Sequence, residues 1–280
     1  MSFLKKAVKT VFRTAGLEIR KVQRVRGPEN PVHSAFDEQI IVQDYLRQLP
    51  LGENFCVDIG ASDGITCSNT YALFGAGWPG LAVECDGEKF AALAEHYKRF
   101  PGARLCNGRV TPENVVEVLK SHSVPERFTF LSLDIDGYDY FVLAAILQSF
   151  RPSLICTEIN EKIPPPIKFT VKWDPGYRWA TDHFYGQSIS QLATLCERHG
   201  YALVRLEFNN AFLISQEICP VPALTPDAAY RRGYAERPNR LEKTPWNADV
   251  DLLLRLPPEE GVEFIRSYFA KYEGKYVCEL

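Results

Sequence analysis

The sequence predicts an α/β fold, a mostly parallel sheet with helices on both faces, over about residues 36–215. Two observations predict it. From residue 36 to residue 199, short apolar runs alternate with segments of helical periodicity. That alternation is what parallel strands joined by helical crossovers produce. In addition, the first apolar run leads directly into a glycine-rich turn, Asp58-Ile59-Gly60-Ala61-Ser62-Asp63-Gly64. In open parallel sheets ligands bind beyond the carboxyl ends of the strands, where such a turn would lie.

The elements follow in order. Residues 36–48 read as a helix closed by Leu49-Pro50-Leu51-Gly52, and residues 54–59 as a short buried strand. A second strand covers 80–84, a helix 88–100 stopped by Pro101-Gly102, a third strand 103–107 and a helix 111–121. Residues 127–136 form the fourth strand. A helix over 138–150 ends at Arg151-Pro152, and residues 153–160 form a buried strand. Ser188 has the spacing of an N-cap for a helix over 188–199, with Gly200 as its stop. Residues 201–208 and 211–215, joined by Asn209-Asn210, read as a hairpin. Residues 161–187 interrupt the alternation. They are rich in proline and aromatics, and a loop this long in a compact domain is functional or disordered. Its aromatic content argues against disorder. Residues 219–280 read as a C-terminal extension with a helix near 262–272.

Charge divides the chain unevenly. The net charge is −3, which argues against a general nucleic-acid role. Residues 1–26 nevertheless carry +7, leaving −10 for the rest. In the same arm Leu4, Val8, Val11, Phe12, Ala15 and Ile19 recur at helical spacing opposite the lysines. The segment is too short and too charged to span a bilayer. It reads either as a helix lying on an anionic membrane surface or as a surface helix docked on the core. A Gly-Pro-Glu-Asn-Pro turn at 27–31 ends the arm, so the expected divisions are an arm at 1–35, a core domain at 36–218 and an extension at 219–280. The eight cysteines show no C-x-x-C pair, and several lie within apolar runs. With no secretory signal evident, reduced thiols and a cytoplasmic location are expected, peripheral at the inner membrane face if the arm binds lipid.

The turn after the first strand has the pattern Asp-x-Gly-x-x-x-Gly, with Asp58 at the strand end and Gly60, Ser62 and Gly64 in the turn. Glycine lets the chain turn sharply and lets a ligand approach the backbone. The spacing is not the Gly-x-Gly-x-x-Gly fingerprint of a diphosphate cradle, which argues against a nicotinamide oxidoreductase. The second strand ends at Glu84, and an acid about 20 residues after such a turn commonly accepts ribose hydroxyls.

On Val57-Asp58-Ile59-Gly60-Ala61, Ser68-Asn69-Thr70-Tyr71, Leu81-Ala82-Val83-Glu84 and Leu133-Asp134-Ile135-Asp136-Gly137-Tyr138, the chain resembles the FkbM-type family of class I S-adenosylmethionine (SAM) dependent methyltransferases. The resemblance covers about residues 54–215. It implies a Rossmann-like sheet of seven strands with the last strand antiparallel, and methyl transfer to a hydroxyl, often on a sugar, glycan or natural product. It also implies that Asp58, Gly60 and Glu84 contact SAM, joined by Ser62 and Gly64 of the turn, with Asn107 beside the adenine. The expected acceptor is a sugar, glycan or glycolipid. A soluble secondary metabolite, or a non-catalytic SAM-binding protein at a membrane, are the alternatives.

Asp134 and Asp136 stand two apart at the end of the fourth strand, a spacing that puts both on one face. Glu158 and Asn160 repeat the spacing on the next strand. Four oxygen-bearing side chains there suit Mg²⁺ or Mn²⁺. Metal-dependent class I O-methyltransferases such as the catechol enzymes look similar in placing acids and an asparagine at these strand ends. Such a cation would lower the pKa of an acceptor hydroxyl. His183, oriented by Asp182, is the alternative general base. Against both readings, Asp136 could cap the following helix, and Glu158 could pair with Lys162 or Lys168. Trp173, Trp179 and Tyr185 of the 161–187 loop offer flat apolar faces that suit a sugar ring or an aromatic acceptor, or that pack the loop onto the core.

The arm generates the first prediction. Each basic residue near an anionic bilayer contributes about 1 kcal/mol, an attraction that salt screens. Deleting residues 1–26 is expected to abolish salt-sensitive co-sedimentation with anionic vesicles while leaving a folded protein. Indifference of the full chain to such vesicles at low salt would assign the stripe to core packing.

Overall fold

The computed structural model describes residues 31–50 and 54–280. The basic arm lies outside the described residues except for its last positions. The described chain runs α1 (Glu38–Gln48), β1 (Cys56–Ile59), α2 (Tyr71–Gly75), β2 (Gly80–Glu84), α3 (Gly87–Tyr97), β3 (Ala103–Asn107), α4 (Val115–Ser121), β4 (Arg127–Leu133), α5 (Asp139–Ser149) and β5 (Arg151–Glu158). It continues with β6 (Lys168–Val171), α6 (Ile189–His199), β7 (Tyr201–Glu207) and β8 (Asn210–Ser215). Short helical turns then lead to α7 (Pro258–Tyr268) and β9 (Tyr276–Glu279).

Seven strands form one sheet in the order β3-β2-β1-β4-β5-β8-β7. The pairs β1–β2, β2–β3, β1–β4 and β4–β5 are parallel, and β8 runs antiparallel to both β5 and β7. This is the Rossmann-like sheet expected from the sequence, with its last strand reversed. The order turns at β1 and β4: β2 lies on one side of β1 and β4 on the other. A crevice at such a switch point is where this architecture takes ligands.

Strand alternation sorts the core into two layers. Val57, Ile59, Leu81, Val83, Leu131 and Leu133 pack on the side of α4, α5 and α6. Cys56, Ala82, Phe130, Leu154 and Cys156 pack on the other, against Ile41, Val42 and Leu46 of α1 and Leu93 and Tyr97 of α3. Asp58 shares the second face, which turns its carboxylate toward the segment entering α2. Gly80 is required where β2 meets β1, because a Cβ there would lie 2.3 Å from the Cys56 carbonyl oxygen.

The structure corrects several expected boundaries. Strand β4 stops at Leu133, and 134–138 is a loop in which Asp136 has a positive φ of 53°. The Asp139 carboxylate fixes this loop by accepting from Ile135 N and Gly137 N, each at 3.0 Å. It is therefore Asp139, rather than Asp136, that satisfies the free N–H groups ahead of α5. Arg151-Pro152 opens β5 instead of merely ending the helix, and β5 ends at Glu158, leaving Asn160 beyond it. Helix α4 begins only at Val115, because Thr111 and Asn114 bond one another's backbone N–H groups first. The short helix α2 has too few residues to show a period in the sequence.

The 161–187 segment contains a strand. Its β6 pairs antiparallel with β9, which belongs to the C-terminal extension. Accordingly, residues 219–280 are not a separate body: Val32–Leu280 form one compact unit. Phe184 of the segment stacks on Tyr272 of the extension at 3.8 Å between centroids, and Phe169 lies against Phe269 and Tyr276. All eight cysteines are free thiols. Among the described residues, no helix is long and apolar enough to cross a membrane.

Ser188 joins this second layer to the sheet. Its buried hydroxyl accepts from Gln191 N at 3.2 Å as the α6 N-cap and from Phe169 N at 3.0 Å, and it donates to Ile167 O at 2.7 Å. Ser188→Ala loses the cap and strands a buried N–H, so urea unfolding should show a loss of roughly 2–4 kcal/mol. A change within a few tenths of wild type would refute this role.

Candidate functional site

A cleft of about 430 Å³ opens at the carboxyl end of β1, β2 and β4. That is within the usual range for small-molecule sites, about 300–1,000 Å³. Asp58, Gly60, Ser62, Glu84, Asp134 and Asp136 all line it, together with Asn69, Lys89, Arg109 and Ser132.

The floor is the turn after β1. Gly60 has φ +91°, and a Cβ there would lie 1.7 Å from the Asp134 carbonyl oxygen, so only glycine fits. Gly60 N and Ala61 N both donate to Val83 O at 3.0 Å, which ties the turn to β2. Glu84 accepts from Ser62 N at 2.8 Å on one carboxylate oxygen and from Asp86 N at 2.7 Å on the other. It thus braces the turn and faces the cleft at once. Gly64 has φ +81° and packs under Leu93 and Tyr97, at the back of the turn rather than in the cleft lining. Asp58 is buried and accepts from the Thr70 hydroxyl. Burial raises its pKa to about 6, with Glu84 adding to the rise, while the Thr70 and Ser132 hydroxyls oppose it. Thr70 and its neighbour Asn69, whose amide donates to Ser132 Oγ at 3.2 Å, belong to the Ser68–Tyr71 stretch noted in the sequence.

Asn107 is placed differently from the expectation. It is exposed, outside the cleft lining, and its amide donates to Glu84 O at 2.9 Å. Being the last residue of β3 leaves its side chain bonded back along the sheet edge. Gly108, Arg109 and Val110 line that side instead.

At the other end, carboxylate oxygens of Asp134, Asp136 and Glu158 lie within 4.8 Å of one another. The two aspartates are partly open to the cleft, and Glu158 is buried. Burial pushes the Asp134 carboxyl up to about 8, reinforced by Asp136 and Asp139. Burial likewise raises Asp136, with Lys89 opposing, and raises Glu158 well above the carboxylate range, with Asp134 and Asp136 next in effect. Three carboxyl groups this close, one of them buried, repel one another unless a counter-cation or shared protons intervene. Glu158 accepts from Asn209 Nδ2 at 2.9 Å on Oε1, and its buried Oε2 has no partner.

Asn160 lies two residues beyond the end of β5, where its Nδ2 donates to His183 O and Tyr185 O, each at 2.9 Å, and its buried Oδ1 has no partner. His183 lies outside the cleft, with its Nε2 3.1 Å from Asp249 in the extension. Asp182 does not orient it. That carboxylate bonds Lys271 at 3.0 Å and Tyr272 at 2.5 Å. Nor does Lys162 pair with Glu158: it is buried against Glu161 at 3.3 Å and the Tyr185 hydroxyl at 2.6 Å.

The aromatic segment divides by role. Trp173 packs on Tyr138 at 4.3 Å between centroids, and Tyr185 is buried in the Glu161–Lys162 network. Trp179 is 39% exposed and lines the cleft with Tyr177 and Arg178. Arg109, which no sequence pattern marked, holds this strap down: it donates to Tyr138 Oη at 2.9 Å and to Pro175 O and Tyr177 O at 2.8 Å. The Tyr177 ring lies on Gly137, where a Cβ would approach it to 2.6 Å.

No family model matches the chain, and no curated protein matches it. Among solved structures, the chain is similar to a TehB-like SAM-dependent methyltransferase from Corynebacterium glutamicum, with 12% identity, 76% of this chain and 96% of that one covered, and a TM-score of 0.36. It is similar to a SAM-dependent methyltransferase from Aquifex aeolicus, with 12% identity, coverages of 64% and 92%, and a TM-score of 0.38. It is also similar to the N-terminal domain of EvdMO1 with S-adenosylhomocysteine (SAH) bound, with 11% identity, coverages of 75% and 96%, and a TM-score of 0.40.

The environment of Asp58 sets a pH dependence. Its folded pKa of about 6 lies above the ordinary 3.8, so the folded chain holds that proton more tightly than the unfolded chain. The resulting stability is fully present below 3.8 and is lost as pH rises through about 6. Urea unfolding across this window should show stability falling with pH, and Asp58→Asn should flatten the slope. Equal slopes for the two proteins would contradict the assignment.

Proposed function

We propose that this chain is a SAM-dependent O-methyltransferase whose acceptor is a hydroxyl of a sugar, glycan or glycolipid. One juxtaposition carries the reading: a glycine turn braced by Glu84 shares one cleft with Asp134 and Asp136, whose carboxylates cluster with the buried Glu158. Each Glu84 oxygen accepts one backbone N–H and keeps a lone pair for a ribose hydroxyl. The acids Asp58, Glu84, Asp86, Asp134 and Asp136 outnumber the cations of the lining, which favours a positively charged ligand such as a sulfonium. The turn needs no phosphate, and none of its parts is built as a diphosphate cradle.

In the reaction, the acceptor oxygen forms a bond to the methyl carbon as the carbon–sulfur bond breaks, leaving the neutral thioether of SAH. Asp134 and Asp136, partly open to the cleft and raised above ordinary carboxylates, are placed to take the hydroxyl proton. Asp139 holds their loop through Ile135 N and Gly137 N, so the geometry is set before the acceptor arrives. Trp179 in the cleft lining offers a flat face for a sugar ring, and Arg109 holds the strap that carries it. Asp134, Asp136 and Glu158 also fit Mg²⁺ or Mn²⁺: the donors are all oxygen, and one buried Glu158 oxygen lacks a partner. When bound, such a cation would lower the pKa of the acceptor hydroxyl. The basic arm would place the enzyme peripherally on an anionic membrane surface, in keeping with a lipid-linked acceptor.

Titration calorimetry with SAH tests the reading. The wild type should bind. Glu84→Ala, which removes charge-assisted bonds of about 1.5–3 kcal/mol each, should bind at least about tenfold more weakly. Absence of SAH binding, with NAD bound instead, would overturn it.

A further inference from the structure

The three-carboxylate cluster depends on a residue from the far edge of the sheet. Glu158 is 94% buried by its relative exposure of 6%, and no cation of the protein is bonded to it among the described residues. Its Oε1 accepts from Asn209, in the two-residue turn between β7 and β8, and its main-chain oxygen accepts from Gln187 Nε2 at 3.2 Å. That turn is itself pinned on four sides. Asn209 O accepts from Ile159 N at 2.7 Å, which fixes it against the end of β5. Phe208, at φ +51°, donates its N–H to Gly233 O at 3.1 Å and stacks on Phe36 at 4.2 Å. Asn210 Nδ2 donates to Glu38 Oε1 at 3.0 Å at the start of α1 and reaches Asn209 Oδ1 at 3.4 Å. Glu38 is buried as well. The Asn209 amide is therefore preset in direction by its own neighbour, and its N–H end meets Glu158 Oε1.

We propose that Asn209 is the positioning residue of a divalent-cation site formed by Asp134, Asp136 and Glu158, holding Glu158 by one oxygen so that the unpartnered Oε2 is free to ligate. The inference rests on the proposed function for its place in catalysis, but the cation site stands or falls separately. A carboxylate ligand gains affinity when a donor fixes its orientation, because the ordering cost is met in the fold rather than at binding. Asn160, the asparagine that spacing suggested as a ligand, ties down the backbone at His183 and Tyr185 through its Nδ2 and keeps a buried, unpartnered Oδ1. A second asparagine, from the β7–β8 turn, serves the site through Glu158.

The test is Mn²⁺ binding to the full chain, followed by calorimetry and by the electron paramagnetic resonance of free Mn²⁺, with SAH binding measured in parallel. Asn209→Ala should weaken Mn²⁺ binding about 10–100-fold, the usual cost of losing a group that orients a ligand. SAH binding should remain close to wild type even though the melting temperature falls with the loss of a donor to the buried Glu158, whereas a merely structural defect would weaken both ligands alike. Asn209→Leu, nearly isosteric but without a donor, carries the same expectation if the alanine variant folds poorly. Asn209→Gln, which keeps the amide, should recover part of the affinity. Unchanged Mn²⁺ affinity in both donor-less variants overturns the positioning role, and a wild type that binds no Mn²⁺ overturns the site itself. A wild type that binds Mn²⁺ but not SAH would leave this inference standing and remove the methyltransferase reading.

Discussion

The functional end of the sheet depends on the contact between Gly60 and the Asp134 carbonyl. A Cβ at Gly60 would lie 1.7 Å from that oxygen, so the turn after β1 and the loop after β4 can be neighbours only if the side chain is absent. That closeness brings two chemically different surfaces together. On one side are Ser62 and Glu84, a backbone turn braced by a carboxylate. On the other are Asp134 and Asp136, whose loop is held by the buried Asp139. Each surface is over-determined by bonds into a neighbouring strand or helix.

Burial of acids is the recurring cost of this arrangement. Asp58, Asp134, Asp139 and Glu158 are all raised by desolvation, and the last three lie close enough to repel one another. The structure offsets the cost with neutral donors: Thr70 for Asp58, backbone N–H groups for Asp139, Asn209 for Glu158. Among the described residues the buried Lys162 is committed to Glu161 and Tyr185. A cluster supplied with dipoles rather than with full positive charges stays receptive to a cationic ligand.

Much of the sheet was legible in the sequence because strand alternation and glycine stops are local signals. The elements at 80–84 and 103–107 match the observed strands, and Ser188 caps α6 as its spacing suggested. The floor of the site was legible for the same reason: Asp58, Gly60 and Glu84 sit at strand ends, where position alone implies a role. What failed was geometry beyond a strand's last residue. Period-two reasoning assumed that β4 ran through Asp136 and β5 through Asn160, whereas both strands stop short. Tertiary partners decide those endings: Asp139 for the first, Asn209 O and Gln187 O for the second. Asn107 and His183 went astray similarly, since a side chain's direction at a strand edge or in a long loop is set by whatever packs there. Arg109 carried no pattern at all, because its partners are the Tyr138 hydroxyl and two carbonyls, 29, 66 and 68 residues away.

The pairing of β6 with β9 has a consequence for how the protein acquires its finished cleft. Lys172, just after β6, bonds Gly274, which is 102 residues further along the chain. Joining such distant segments requires closing a long loop before any contact rewards it, and pairings of that kind form slowly. The strap bearing Tyr177 and Trp179 has one flank anchored by this pair, so it is complete only when the C-terminal residues are in place. One wall of the cleft therefore answers to a stretch of chain that contributes no residue to the cleft lining.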